Sequence, residues 1–544
     1  MRKSGLLVVV AAALLLGACT NGTKGDPAKP AESEGPFLKG SGTLRVLASS
    51  ELADLQPVLA DAKQATGVDV LLQATGTLDG VENVVSGNAA KQYDAIWFAS
   101  NRYLQLHPGA GDKIGTATKV ATSPVVLGLR QSVAAKLGWA DHRPTWSEIA
   151  VAAGEHKFSY GMTNPAGSNS GFSALVGVAA AMAGTGAALT AEQIAPLTPR
   201  LRAFFAGQDL TAGSSGWLAD AFVKQAAEQH GHAVDGLVNY ESVILSLNAS
   251  GRLPEPMTVV YPADGVVTAD YPLTLLAGVS EQTKTNYAAV TDYLRRPSVQ
   301  RQIMAKTWRR PAVPNVALAP EFGPKGGSLP ELPFPGRLEA ANALIGAFGD
   351  DLRKPARTIY VLDLSGSMKG ERIQGLKNAL IGLTGADTSL SGQFSRFNGR
   401  EQVLMVPFGT KPGQVRRFDV PESDFRPTLE QIRSYAGGLA ANGDTAIYDA
   451  LFVAYDQAAA LAREDPDRST SIVLLTDGEL TAGANLEAFQ ARLPQLPRVP
   501  VFTILFGEGN VAEMRKVAEL TGGKSFDART GSLPAAFKEI RGYQ

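Results

Sequence analysis

Ile359-Tyr360-Val361-Leu362 is an unbroken apolar run, and Asp363-Leu364-Ser365-Gly366-Ser367 follows it directly. Four apolar residues without alternation fit a strand covered on both faces, as in a parallel sheet between helix layers. Beyond the loop, Ile373, Leu376, Leu380 and Leu383 recur at helical spacing. Strand, loop and helix in this order put the loop at the carboxyl end of a parallel strand, where α/β sheets bind ligands. The loop offers one carboxylate and two hydroxyls at alternate positions. These are hard oxygen donors, suited to Mg²⁺ or Mn²⁺ rather than zinc or copper.

Two further segments extend the pattern. Gly443-Asp444-Thr445 precedes a helix with Ile447, Leu451, Ala454 and Ala458 on one face, and the apolar run Ile472 to Leu475 ends in Thr476-Asp477-Gly478. The order D-x-S-x-S, loop Thr, then Asp after an apolar strand resembles the metal-ion-dependent adhesion site of von Willebrand factor type A (vWA) domains. The resemblance covers residues 357–544 and takes in the later strands Val501 to Leu505 and Lys524 to Phe526. It implies a Rossmann-like domain in which Asp363, Ser365, Ser367, Thr445 and Asp477 surround Mg²⁺ (or Mn²⁺), some of them through water. A protein partner's Asp or Glu oxygen would complete the coordination. Asp444 stands where family members often carry Gly, and is expected to face solvent. No G-x-x-x-x-G-K-[ST] occurs, so the A domains of ATP-driven chelatase machines are a poor match.

Upstream, apolar runs alternate with helical patterns at Leu44 to Leu47, Val68 to Leu72, Asp94 to Phe98, Ser123 to Arg130, Phe158 to Thr163, Val234 to Tyr240 and Met257 to Tyr261. Such alternation implies α/β architecture with parallel sheets, and Thr145 reads as a helix N-cap. The strand ending in Ala48-Ser49-Ser50, Tyr93 to Trp97, Ser123 to Gly128, Asn164 to Gly171, Val234 to Ser242 and Val260 to Gly265 together resemble the two-lobed (type II) periplasmic solute-binding proteins. That resemblance implies a domain over residues 43–316, with lobe one at 43 to ~124 and ~257 to 316 and lobe two between. Ser49, Ser50, Ser168 and Ser170 fall where strands end and helices begin, a setting that binds anions or polar acceptors. Ser123 and Tyr240 are added as contacts to a small solute or oxyanion. Capping alone also accounts for serine at a helix start. Trp97 is assigned to the core, and His230 with His232 to a polar loop.

At the N-terminus, Arg2 and Lys3 precede an apolar stretch from Leu6 to Leu16, then Leu16-Gly17-Ala18-Cys19 with the chain's single cysteine. The stretch is too short to span a bilayer and suits a secretory signal. It resembles a bacterial lipoprotein signal, which implies cleavage after residue 18, acylation of Cys19, and a protein anchored at the membrane on its extracellular or periplasmic side. Residues 19–42 read as a flexible tether and the Pro/Gly-rich residues 317–356 as an interdomain linker. With 544 residues several folding units are expected, and a formal net charge of -1 makes no case for nucleic acid. No G-x-S-x-G, H-E-x-x-H or paired-carboxylate motif points to an enzyme. The expectation is a membrane-anchored extracellular binding protein whose N-terminal domain binds a small solute or serves as a recognition module, with a solute receptor for an ABC-type transporter, the A domain serving as scaffold, as the alternative.

Overall fold

Three sheets take up the apolar runs. The structure is a computed structural model that describes residues 34–227, 233–324, 329–477, 479–507, 509–529 and 532–543. The first sheet runs in the order Val68–Thr75, Gly42–Ser49, Ala95–Trp97, Pro272–Leu276, Ile114–Lys119. Its first three strands are parallel, and Pro272–Leu276 lies antiparallel to both neighbours. The second runs Thr268–Ala269, Ala121–Arg130, Gly236–Tyr240, Tyr160–Thr163, Gln208–Ala212, with Met257–Val260 and Arg310–Pro311 also paired to Ala121–Arg130.

Two crossings between these sheets lie side by side, at Val120 and near Tyr271, where the Val120 amide donates to the Tyr271 carbonyl at 3.3 Å, and the chain returns to the second sheet at Arg310–Pro311. Two sheets joined by two adjacent crossings make the expected two-lobed architecture. Trp97 is fully buried and its indole N–H donates to the Tyr271 carbonyl. One boundary differs from expectation. Met257–Val260 belongs to lobe two, in antiparallel register with Leu127 to Arg130, and lobe one resumes only at Pro272. A short apolar run reads the same in either lobe, and only the pairing distinguishes them.

The segment read as a flexible tether is ordered at its C-terminal end, and the interdomain linker is docked. Phe37 packs on Tyr293, with ring centroids 5.2 Å apart, and the Arg296 guanidinium lies over its ring. The chain is therefore fixed from within the expected tether, because an aromatic ring interrupts its polar composition. The Pro/Gly-rich connection is likewise docked. Leu332 donates its amide to the Val266 carbonyl, Phe334 meets Phe172 edge-on, and the helix Leu338–Ala347 leads to Phe348, which packs on Phe205. Cys19 and the first 18 residues, like His230 and His232, lie outside the described residues. Among the described residues, no helix is long and apolar enough to cross a membrane.

The third sheet runs Arg416–Asp419, Gln402–Phe408, Ala356–Asp363, Ser469–Thr476, Val501–Leu505, Ser525–Asp527, parallel throughout except at its first strand. Ala356–Asp363 is central and buried along its whole length, as its lack of alternation requires. Tyr360 and Leu362 face the helices Glu371–Ile381 and Leu533–Arg541, while Ile359 and Val361 face the helix Ile447–Glu464. Phe37–Gln544 forms one compact unit, and the C-terminal domain touches both lobes. Ser391 donates to Glu82 of lobe one through its amide and hydroxyl. In lobe two, Asn164 donates to the Arg541 carbonyl and Lys224 to the Glu519 carbonyl.

Candidate metal centre and interlobe cleft

The central strand delivers Asp363 to the carboxyl edge of the third sheet, and its neighbour Ser469–Thr476 delivers Asp477 beside it. Both carboxylates are buried, with Asp363 at 0% and Asp477 at 1% exposure. Asp363 accepts from the Ser365 amide at 2.8 Å and from the Thr476 hydroxyl at 2.7 Å. The Ser365 and Ser367 hydroxyls are 2.9 Å apart, and Ser367 donates to Asp477 at 2.8 Å. Four of the five expected donors thus form one hydrogen-bonded chain.

The fifth, Thr445, is buried on a neighbouring loop. That loop is tied to the first by the Gly366 amide, which donates to the Gly443 carbonyl at 2.8 Å. Gly443 has φ of +89°, and a Cβ there would lie 2.6 Å from the Thr410 hydroxyl, so the turn that presents Thr445 needs glycine. Asp444 is exposed, as expected, with one hydrogen bond from Thr410.

Burial pushes the Asp363 carboxyl above its usual range, its hydrogen bonds oppose this, and the charge of Asp477 adds to the rise. Two buried carboxylates side by side need a compensating cation. The set consists only of carboxylate and hydroxyl oxygens and fits Mg²⁺ or Mn²⁺. One cation is supplied by the chain itself and has no signal in the local sequence: Arg372 donates to the second oxygen of Asp477 at 2.6 Å.

The other site lies between the lobes, in a cavity of about 620 Å³. Ser49 and Ser50 line it from lobe one, Ser168 from lobe two. Neither Ser49 nor Ser168 makes a side-chain capping bond to the helix it precedes, so capping does not account for them. Ser49 instead accepts from the Ala99 amide. The other three expected contacts stand behind the wall with their polar groups engaged internally. Ser123 is hydrogen-bonded to Ser242, Ser170 to Thr163 and Ser215, and the Tyr240 hydroxyl accepts from Asn169. Glu51, Thr77, Asn164 and Asn169 also line the cavity, and sequence reasoning does not find them. Asn164 and Asn169 lie within the Asn164 to Gly171 segment without being read as contacts, and nothing local marks Glu51 or Thr77, which meet them only when the lobes do.

The family model for the von Willebrand factor type A domain matches residues 359–538. This segment is a vWA domain. Inter-alpha-trypsin inhibitor heavy chain H4 of Homo sapiens is 32% identical over 176 residues, 31% of this chain and 18% of that one. The Sus scrofa protein of the same description is 38% identical over 133 residues, 24% and 13% of the two chains. The chain therefore spans less than a fifth of the length of these curated relatives. Among solved structures, a periplasmic thiamin binding protein matches with a TM-score of 0.46 and 13% identity, over 59% of this chain and all of that one. The fructose-6-phosphate-bound periplasmic binding protein AfuA from Actinobacillus pleuropneumoniae matches with a TM-score of 0.45 and 12% identity, over 57% and 98%. A von Willebrand factor type A structure from Catenulispora acidiphila matches with a TM-score of 0.28 and 20% identity, over 35% and 42%.

The vWA domain also supplies the third wall of the cleft, through Ser395, Lys538, Arg541 and Tyr543. Its charged groups there are already paired: Lys538 with Asp387, Arg541 with Glu401 and Lys524 with Glu539. What remains to meet a ligand is hydroxyl and amide together with the lobe-one carboxylates of Glu51 and Asp79.

Proposed function

We propose that this chain is an exported binding protein, held at the membrane by acyl groups on Cys19. In this reading its vWA domain grips an Asp or Glu of a protein partner through Mg²⁺ (or Mn²⁺), and its cleft takes a small polar solute or oxyanion. The observation that carries the reading is the hydrogen-bonded chain from Asp363 through Ser365 and Ser367 to Asp477, with Thr445 held on the adjoining loop.

Asp363 and Asp477 would balance the charge of a divalent ion, and the three hydroxyls would fill neutral positions. A cation bound with only two protein carboxylates stays electrophilic and offers a position to an incoming carboxylate. Thr476 and the Ser365 amide fix the orientation of Asp363, so the loop is organised before any partner arrives. For the cleft, uncapped Ser49 and Ser168 support recognition of a polar acceptor by neutral donors. Delivery of solute to a membrane transporter is a second reading; the vWA contacts with both lobes weigh against it, since they tie together two lobes that must move apart to load and release a solute.

The deciding experiment is a calorimetric and thermal-unfolding titration of the chelator-treated full chain with MgCl₂ and MnCl₂. Binding at one site should stabilise the fold by about 2.7 kcal/mol at a hundredfold excess over Kd. An unchanged unfolding midpoint with no heat of binding at millimolar metal would overturn the reading.

A further inference from the structure

Arg372 is the second residue of the helix Glu371–Ile381. A cation in the first turn of a helix opposes the helix dipole, so its position calls for a local reason. That reason is Asp477. The guanidinium donates to one Asp477 oxygen at 2.6 Å while Ser367 donates to the other at 2.8 Å, which accounts for both oxygens of a carboxylate with a fully buried side chain. The Arg372 side chain remains 37% exposed, at the rim of the site.

Metal binding reverses the sign of the local charge. Asp363 and Asp477 with Arg372 sum to one net negative charge, whereas adding a divalent ion to all three leaves one net positive. A guanidinium and a divalent ion sharing one carboxylate in a buried setting repel each other strongly. We propose that Arg372 is the resident counter-cation of this site: it holds Asp477 in place without metal, and Asp477 passes from the guanidinium to the metal on binding. This rests on the metal reading of the site and adds to it a built-in competitor. The competitor lowers cation affinity and keeps the two carboxylates compensated when metal is absent. Once released, the guanidinium at the rim of the site would add to the attraction for a partner's carboxylate.

The test is calorimetry with MgCl₂ on the full chain carrying Arg372→Gln or Arg372→Lys, with unfolding midpoints in chelator and in saturating Mg²⁺. The Gln variant should bind Mg²⁺ at least tenfold more tightly than the parent. It should unfold at lower temperature in chelator, and its gain in midpoint on adding Mg²⁺ should exceed the parent's. The Lys variant keeps the charge at a contact made through a single nitrogen and should stay within about threefold of the parent, by the same electrostatic argument. Mg²⁺ affinity in the Gln variant equal to or weaker than the parent's overturns the competitor alone. Absence of Mg²⁺ binding in parent and both variants overturns it together with the metal reading.

Discussion

The Tyr543 ring stands edge-on to the indole of Trp217, with centroids 4.8 Å apart and planes at 89°. Trp217 belongs to lobe two, and Tyr543 also packs on Phe502 and Phe526 of its own domain. The ring therefore bridges the vWA sheet and the wall of the cleft. Gly213 allows the approach, since a Cβ there would lie 2.6 Å from the Tyr543 ring.

Removing this ring should loosen the vWA domain from lobe two. Tyr543→Ala is expected to cost about 3 kcal/mol, in the range for deleting a buried aromatic, and to speed amide exchange around Gly213 and Trp217. Tyr543→Phe keeps the ring, losing the hydroxyl's hydrogen bonds with Lys524 and Ser214, and should cost about 1 kcal/mol. Denaturant unfolding and hydrogen exchange read both. Parent-like exchange in the Ala variant would mean that the docking rests on the surrounding polar contacts.

At the metal centre, Asp363→Ala and Thr445→Ala should each abolish the stabilisation by Mg²⁺. The Asp363 variant should be no less stable than the parent in chelator by more than a kcal/mol or so, because the raised carboxyl of Asp363 already costs the metal-free fold something. A Mg²⁺-induced rise in midpoint equal to the parent's in either variant would remove that residue from the site.

Much of this centre is legible in sequence because its first three donors sit within five residues, after a strand whose burial is written in its composition. Arg372 is not legible, since its partner Asp477 lies 105 residues away and reaches it only through parallel pairing of Ala356–Asp363 with Ser469–Thr476. The cleft divides the same way. Ser123 and Ser49 look alike in sequence, yet one is sealed under Ser242 and the other lines the cavity. The strand Ile114–Lys119 escapes notice because as an edge strand it is largely exposed and lacks an apolar run. Gln402–Phe408 does carry such a run, and the sequence reading passed over it. No local pattern announces that a vWA helix forms the third wall.

Acid should weaken the joint between connector and vWA domain. Glu401 is buried between Arg353 and Arg541. Burial alone would raise its carboxyl, but the charges of Arg541 and Arg353 outweigh this and hold it below the ordinary value of 4.5. A depressed carboxylate contributes stability that is fully present above its unfolded value and is lost as pH falls from there through the folded one. The unfolding midpoint should therefore drop below pH 4.5. Glu401→Gln should cost about 3–5 kcal/mol at neutral pH, leaving two buried guanidiniums without their anion, and should flatten this part of the pH profile. An unchanged slope in the variant would assign the acid loss elsewhere.

Membrane attachment tests the lipid anchor, which lies outside the described residues. Cys19→Ser should move the chain from the membrane pellet to the soluble fraction, because two or more acyl chains are what stable anchoring requires. Retention in the pellet after a carbonate wash would refute acylation at this residue.

Ser168 and Ser170 separate recognition from support within the cleft. Ser168 lines the cavity without capping its helix, whereas Ser170 is buried and bonded to Thr163 and Ser215 at 2.7 and 2.8 Å, with a longer 3.3 Å contact to the Ser168 hydroxyl. Against a panel of oxyanions, amino acids and sugars, a compound that raises the parent's unfolding midpoint should bind about tenfold more weakly to Ser168→Ala, whose own stability should stay within about 0.5 kcal/mol of the parent's. Ser170→Ala should lose about 1–3 kcal/mol from its unmatched neighbours and keep the ligand's affinity. The reverse pattern would place the ligand behind the present wall and make Ser170 the contact.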